Sequence, residues 1–320
     1  MSVKNKITDL FNVDGLVAVI TGGGMLIVLG LFTHANITPL GSGLGLYAAR
    51  ALDANGAKAV YIIGRRENTL KEAAKTAVNG TIKPIVGDVS DKDSIKKIAE
   101  QIRQEEGYIN LLFNNAGIGG PKDRAALTEK TSGEKPSVKE LQEALWNPPA
   151  EDYTKAYHIN VTGVYYTTVA FLDLLEAGNQ KRNVPQDSQV IVTSSVAGFS
   201  RYLAGSFAYS TSKAAVNHLV KMLSTAFAQN GFHIRVNLIA PGLYPSEMTT
   251  GQTSKLDPLQ GDAFAGAHKM TPDQSPAERT GSEEDFAGTI LYLASQAGAY
   301  LNGETLLTDG GRLAQLPGTY

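Results

Sequence analysis

Tyr209 and Lys213 stand four residues apart in a run with helical spacing, 207–230, so their side chains share one helix face. A free tyrosine has a pKa of about 10 and is only ~0.1% ionised at pH 7. An ammonium group beside it stabilises the phenolate, and a drop of about two to three units makes the pair a usable proton donor and acceptor near neutrality. Ser195 closes the apolar run QVIVTSS, 189–195, where a hydroxyl can hydrogen-bond a reacting oxygen beside Tyr209. Ser194 is its rival, and the S-x-x-G spacing to Gly198 favours Ser195. The chain has no cysteine, which excludes disulfides, thiolate nucleophiles, iron–sulfur clusters and Cys-ligated zinc. The five histidines, His34, His158, His218, His233 and His268, show no ligand spacing, so no metal site is expected. A G-x-x-x-x-G-K-[ST] loop is also missing, which removes the nucleotide-triphosphatase reading.

Such residues need a frame, and the chain supplies one. Short β-branched runs alternate with helical patterns: 16–21, 59–64, a run within IKPIVGDVS, INLLFNNAG, 189–195, 233–240 and 304–309 read as about seven strands. They are apolar almost throughout rather than alternating, which requires a sheet covered on both faces. The pattern predicts one doubly wound α/β domain of Rossmann type over 1–320, with a parallel sheet and helices on both sides. Residues 118–150 break the rhythm and read as a surface excursion with one short helix. A long helix is expected over 151–178. Residues 243–280 follow Pro241-Gly242 and read as a lid over the carboxyl edge of the sheet, where ligands bind. Tyr244, Met248, Leu256, Leu259, Phe264 and Met270 could line an apolar pocket there or pack against the domain.

The 33 glycines exceed average usage, and one group of them carries meaning. Strand 16–21 ends in Thr21-Gly22-Gly23-Gly24, and a helix opens at Ser42-Gly43-Leu44-Gly45. Together these halves form T-G-x-x-x-G-x-G, a loop whose backbone approaches a pyrophosphate at a helix N-terminus. Residues 25–41 separate them, 17 residues that include the apolar run MLIVLGLF. Codons for Gly24-Met25-Leu26 can spell GTATGT, those for Ala35-Asn36 can carry CTAAC, and Leu40-Gly41 can end in AG. The segment therefore reads as a non-native insert, a retained 51-nucleotide intron whose loss restores the loop in frame. A genuine loop insertion is the plainer alternative. A translated insert is expected to weaken cofactor binding unless it loops outward.

Further pieces fall in order along the chain: Asn114-Asn115-Ala116-Gly117, Asn160 in HINVTG, Ser195 in TSSVAG, Tyr209-Ser-Thr-Ser-Lys213, and LNGETLLTDGG. With the rejoined glycine loop, this set resembles the short-chain dehydrogenase/reductase family over about residues 14–312, and more weakly its ketoacyl-reductase-like members. The spacing from Ser195 to Tyr209 is one residue longer than in many members, which lengthens the loop between them. The resemblance implies hydride exchange between a nicotinamide cofactor and a ketone or secondary alcohol. Tyr209 would be the acid/base, Ser195 would hold the substrate oxygen, Lys213 would also hold the nicotinamide ribose, and Asn160 would anchor a water leading protons from Lys213. Gly22, Ser42, Gly43, Leu44 and Gly45 would cradle the phosphates. Asp88 and Val89 would meet the adenine, Asn115 and Gly117 the ribose, and Pro241 and Gly242 the nicotinamide.

An acidic residue at the end of the second strand would grip the 2′-hydroxyl of NAD. This chain has Gly64-Arg65-Arg66 there, and guanidinium suits a 2′-phosphate, so NADP(H) is expected over NAD(H), with Arg65 the first contact. A net charge of −2 offers no field for nucleic acid. No run approaches the ~20 residues that span a bilayer, and a cytoplasmic protein is expected. The resemblance also implies a homodimer or homotetramer, paired through helices bearing Tyr165, Tyr166, Phe171, Leu219 and Phe227. A catalytically silent dinucleotide-binding or scaffold protein, made so by the split glycine loop, is the competing reading.

Overall fold

In the computed structural model, residues 5–23, 43–127, 134–261 and 263–319 are described. Seven strands form one sheet: β1 (Val17–Thr21), β2 (Ala59–Gly64), β3 (Ile82–Val86), β4 (Leu111–Asn114), β5 (Gln189–Thr193), β6 (Arg235–Pro241) and β7 (Thr305–Thr308). Their order is β3-β2-β1-β4-β5-β6-β7, and every pairing is parallel. The chain winds outward from β1 in one direction and from β4 in the other, so a crevice opens beyond their carboxyl ends.

Successive strand residues face opposite sides, and both sides are covered. Ala18, Ile20, Val60, Ile62 and Phe113 pack on one face with Leu46 and Leu52 of the helix Leu44–Ala54 and Phe286 and Ile290 of Glu283–Ala294. Val17, Val19, Tyr61, Leu112 and Val190 pack on the other with Ile98 and Ile102 of Lys92–Glu105, Leu174 of Leu172–Lys181 and Val216 of Phe207–Gln229. In chain order the helices are α1 (Ile7–Leu10), α2 (Leu44–Ala54), α3 (Glu67–Ala74), α4 (Lys92–Glu105), α5 (Asp123–Leu127), α6 (Val138–Trp146), α7 (Ala150–Tyr157), α8 (Val164–Ala170), α9 (Leu172–Lys181), α10 (Phe207–Gln229), α11 (Thr250–Thr253) and α12 (Glu283–Ala294).

Two expectations change. The excursion 118–150 carries two helices, α5 and α6, among its described residues, and a capping box between Ser137 and Glu140 starts the second. The single helix expected over 151–178 is three helices. A π-helical turn, His158–Gly163, separates α7 from α8, and Phe171 separates α8 from α9. The turn lies where the chain passes β3's loop: a Cβ on Gly163 would come within 2.9 Å of the Val89 carbonyl. Widening the helix there swings Asn160 inward, a common use of π-turns at functional sites.

Candidate active site

The crevice is a cavity of about 600 Å³. Its walls come from the loops after β1 to β6, and the sequence places a glycine at the tightest approaches. Gly22 has a φ of +70°, and a Cβ there would stand 2.9 Å from the Ala116 Cα. Gly45 sits behind the wall rather than in it: its Cβ would meet the Gly22 carbonyl at 2.7 Å and the Asn115 Nδ2 at 2.6 Å. The last residue of the strand turn and the first turn of α2 are thus packed directly together, although residues 24–42 separate them in sequence. Ser42, His34 and the segment 25–41 lie outside the described residues.

The cavity is lined by Gly22, Gly43, Leu44, Arg65, Arg66, Asp88, Val89, Asn115, Gly117, Ser195, Tyr209, Lys213, Pro241 and Gly242, all singled out in the sequence. Of the sequence-derived set, Gly45 and Asn160 stand outside the wall. Thr69, Ile118, Ile159, Thr193, Ser246, Met248 and Thr249 line it too and were not expected beyond Met248. Of the six lid residues considered, Tyr244 and Met248 reach the cavity. Phe264 instead stacks under the Arg279 guanidinium, 3.7 Å from its ring centroid, and Met270 is buried.

α10 starts at Ser206, whose hydroxyl accepts the Tyr209 amide at 3.4 Å. Such a cap contributes about 1 kcal/mol and fixes the first turn, on which Tyr209 stands. One turn later Lys213 donates from Nζ to the Thr193 carbonyl at 2.7 Å. Its ammonium lies 5.7 Å from the Tyr209 ring centroid. Ser195 faces Tyr209, while its Oγ also accepts the Ala197 amide at 3.1 Å. Ser194 also lines the cavity, but its hydroxyl is taken by Asn217 Oδ1 and lies 3.4 Å from the Lys213 carbonyl.

Burial dominates the electrostatics of the pair. Burial pushes the Tyr209 phenol above its ordinary value, and the Ser195 hydroxyl only partly offsets this. Burial also brings Lys213 down to about 8. Desolvation is the largest influence on both groups, and for Tyr209 it favours the neutral phenol.

Two of these residues also brace the site. The Asn160 side chain is fully engaged: Oδ1 accepts the Ile118 amide at 2.9 Å, and Nδ2 donates to the Ile118 carbonyl and to Ser212 Oγ, both at 3.0 Å. These bonds make the side chain a strut between the Ile118 backbone and α10. Asn115 donates from Nδ2 to the carbonyls of Thr21 and Gly22 at 3.2 and 3.3 Å, and its Oδ1 accepts from Thr193 Oγ1 at 3.0 Å. It ties together the ends of β1, β4 and β5. Thr21 adds to this knot, its hydroxyl accepting the amides of Asn115 and Ala116 at 3.0 and 3.1 Å.

At the far end, Arg65 lies 3.9 Å from Asp88; the arginine is largely solvent-facing and the aspartate half-buried. Burial works against the Asp88 carboxylate, but the Ser90 hydroxyl and amide, then Arg65 and His158, hold it below its usual range. Among the described residues no cluster of His, Asp and Glu could hold a metal ion, and no helix is long and apolar enough to cross a membrane.

A cleft at the switch point of a parallel sheet, floored by tyrosine, lysine and serine, defines the scaffold of a dinucleotide-binding oxidoreductase. The family model for short chain dehydrogenases matches residues 33–257, and the chain belongs to the short-chain dehydrogenase/reductase family. It is 44% identical over 313 residues to the short-chain dehydrogenase/reductase PhomF of Diaporthe leptostromiformis, covering 98% of this chain and 96% of that protein. It is 28% identical over 302 residues to the rhamnolipids biosynthesis 3-oxoacyl-[acyl-carrier-protein] reductase of Pseudomonas aeruginosa, covering 94% and 97%. The Pseudomonas aeruginosa RhlG/NADP active-site complex is similar in structure, with a TM-score of 0.72 at 26% identity over 95% of this chain and 98% of that one. Members of the family bind a nicotinamide dinucleotide and act on small molecules.

Proposed function

We propose that the chain is an NADP(H)-dependent oxidoreductase that reduces a ketone, or oxidises the matching secondary alcohol, with Tyr209 as general acid/base. The observation that carries this reading is the convergence of Tyr209, Ser195 and Lys213 on one cavity that runs to Arg65 and Arg66. The cavity suits a dinucleotide: its tight glycine approaches leave backbone free for phosphates, and the guanidinium groups of Arg65 and Arg66 on its wall suit a 2′-phosphate. The similar Pseudomonas structure is a complex with NADP, which supports the cofactor assignment.

The bound cofactor would supply or accept the hydride. Tyr209, kept protonated by burial, donates its proton to the carbonyl oxygen as the carbon receives hydride. Ser195 hydrogen-bonds that oxygen and holds it against Tyr209. Lys213 uses one N–H on Thr193, and its other two would hold the cofactor's ribose hydroxyls. Asn160 keeps the backbone at Ile118 in register with α10. In the alcohol direction the same groups run backwards, and Tyr209 must first lose its proton, so alkaline pH favours oxidation.

The direct seating of α2 on Gly22 supports residues 25–41 as an addition to an otherwise closed loop. The whole chain is then one domain, with an excursion at 118–150 and a lid at 243–280. A cytoplasmic homodimer or homotetramer completes the proposal. The alternative, a silent dinucleotide-binding or scaffold protein, rests on the split between Gly23 and Gly43. Following NADPH oxidation against a panel of ketones separates the two. Turnover that disappears in Tyr209→Phe while NADPH binding persists supports the enzyme, and binding without turnover on every ketone supports the silent protein.

A further inference from the structure

The helix that carries Tyr209 has its first turn held from outside. On the way from Ser195 to α10 the chain passes Arg201 and Tyr202, both exposed. Phe207, the first residue of α10, is itself 44% exposed, so burial of its side chain fixes little there. The first four amides of a helix lack partners within it. Ser206 takes the Tyr209 amide, at 3.4 Å. The Phe207 amide finds its partner in the excursion.

Asp123 opens α5 and is buried, 8% exposed. Its Oδ2 accepts the Phe207 amide at 2.8 Å, across 84 residues of sequence. A carboxylate at a helix N-terminus gains from both the charge-assisted hydrogen bond and the helix dipole. The neighbouring residue grips the same stretch twice. The Arg124 amide donates to the Gly205 carbonyl at 2.9 Å, and the Arg124 Nη2 donates to the Tyr202 hydroxyl at 2.6 Å. Gly120 lets the two segments meet: with a φ of +74°, its Cβ would stand 2.9 Å from Ser206 Oγ and 3.3 Å from the Ala208 Cβ. Ile118 and Gly119, just upstream, line the cavity, whereas Asp123 is not one of its lining residues.

We propose that Asp123 is a positioning residue, which places Tyr209 by holding the first turn of α10 against the start of the excursion. This rests on the reading of Tyr209 as the acid/base. Tyr209 follows Phe207 by two residues, so releasing the Phe207 amide loosens the turn on which the phenol stands. A reacting group misplaced by about 1 Å can cost about 100-fold in rate. Asp123 acts away from the cavity wall, so its loss falls on kcat and spares NADPH affinity.

The test compares Asp123→Ala, which removes the acceptor, with Asp123→Asn, which keeps an oxygen in its place. With the ketone that the protein reduces fastest, Asp123→Ala should lower kcat about 30-fold while KM and NADPH affinity stay within about twofold. Asp123→Asn should restore kcat to within about threefold. Should the alanine protein not fold, Asp123→Ser, whose hydroxyl is too short to reach the amide, carries the same expectation. An unchanged kcat, equal losses in the alanine and asparagine variants, or a loss carried by NADPH affinity overturns the proposal. If no ketone is turned over, the reductase reading fails by itself, and amide hydrogen exchange tests the brace alone. The Tyr209 amide should then exchange about tenfold faster in Asp123→Ala, the size of one charge-assisted hydrogen bond, and at the original rate in Asp123→Asn. Amides beyond Lys213 should be unaffected. Unchanged exchange at Tyr209, or acceleration along the whole of α10, overturns it.

Discussion

Replacing Asn160 by alanine separates a strut from a water anchor. The side chain is almost wholly buried and satisfies both main-chain groups of Ile118 while donating to Ser212. Alanine leaves the Ile118 amide and carbonyl without partners, at about 1–3 kcal/mol each. Ser212 keeps its bond to the Tyr209 carbonyl at 2.8 Å, so its loss is minor. The sum is about 3 kcal/mol. Unfolding entropy near 2.1 cal/mol/K per residue converts this to a fall in Tm of about 5 °C for a chain of 320 residues. Catalysis should weaken with it, since Gly117 lies against Asn160 Oδ1 and Lys213 Nζ, 3.1 and 3.5 Å from the place of its missing Cβ. Asn160→Asp adds a sign. Its buried carboxyl would have a raised pKa, so that variant should lose stability as pH rises above about 4, where the unfolded chain ionises first. Calorimetry and NADPH-dependent turnover, measured on all three proteins across pH, provide the assay. A turnover defect in Asn160→Ala with unchanged Tm would refute the strut and restore the water anchor.

Lys213→Met should abolish turnover yet stabilise the protein by about 2–3 kcal/mol at pH 7, because the buried ammonium has its pKa lowered to about 8. The unfolded chain binds more protons than the folded one between pH 8 and 10.5, so the gain should shrink as pH rises through that window, and a pH-independent gain would contradict the assignment. Arg65→Ala/Arg66→Ala should weaken NADPH about 30-fold and NADH by less than threefold in a fluorescence titration, a modest figure because Arg65 is two-thirds exposed. Equal losses for both cofactors would remove the 2′-phosphate argument. Deleting residues 25–41 shortens the connection between β1 and α2 from about 20 residues to a few, which lowers loop-closure cost by about 1.5 kcal/mol. The shortened protein should melt higher and bind NADPH more tightly than the full chain, and unchanged binding would show that the insert does not disturb the loop.

The strands were legible because a sheet covered on both faces demands continuous β-branched runs, and Ala59–Gly64 has the very limits its sequence suggests. Tyr209, Lys213 and Ser195 were legible because helical spacing and a strand end are local properties. What escaped depends on contacts between distant segments. The π-turn at 158–163 answers the Val89 carbonyl, and the Asn160 strut answers Ile118, neither of which periodicity can reveal. The protonated state of Tyr209 follows from burial, which a four-residue spacing does not encode. Leu256, Leu259, Phe264 and Met270 suited a pocket by type, but the segment 243–280 pairs with itself through bridges Pro258–His268 and Lys269–Arg279.

The C-terminal tail runs beside the loop that leads to Tyr209. Ser200 bridges Gly318, the Arg201 amide donates to the Pro317 carbonyl at 2.7 Å, and the Thr319 amide donates to the Phe199 carbonyl at 2.7 Å. Anything fused after Tyr320 therefore hangs from a backbone bridge on the loop that joins Ser195 to α10. An affinity tag at that end becomes a kinetic variable, and tethering to beads or electrodes by the tail would load that loop mechanically. Attachment through the opposite terminus leaves the loop free.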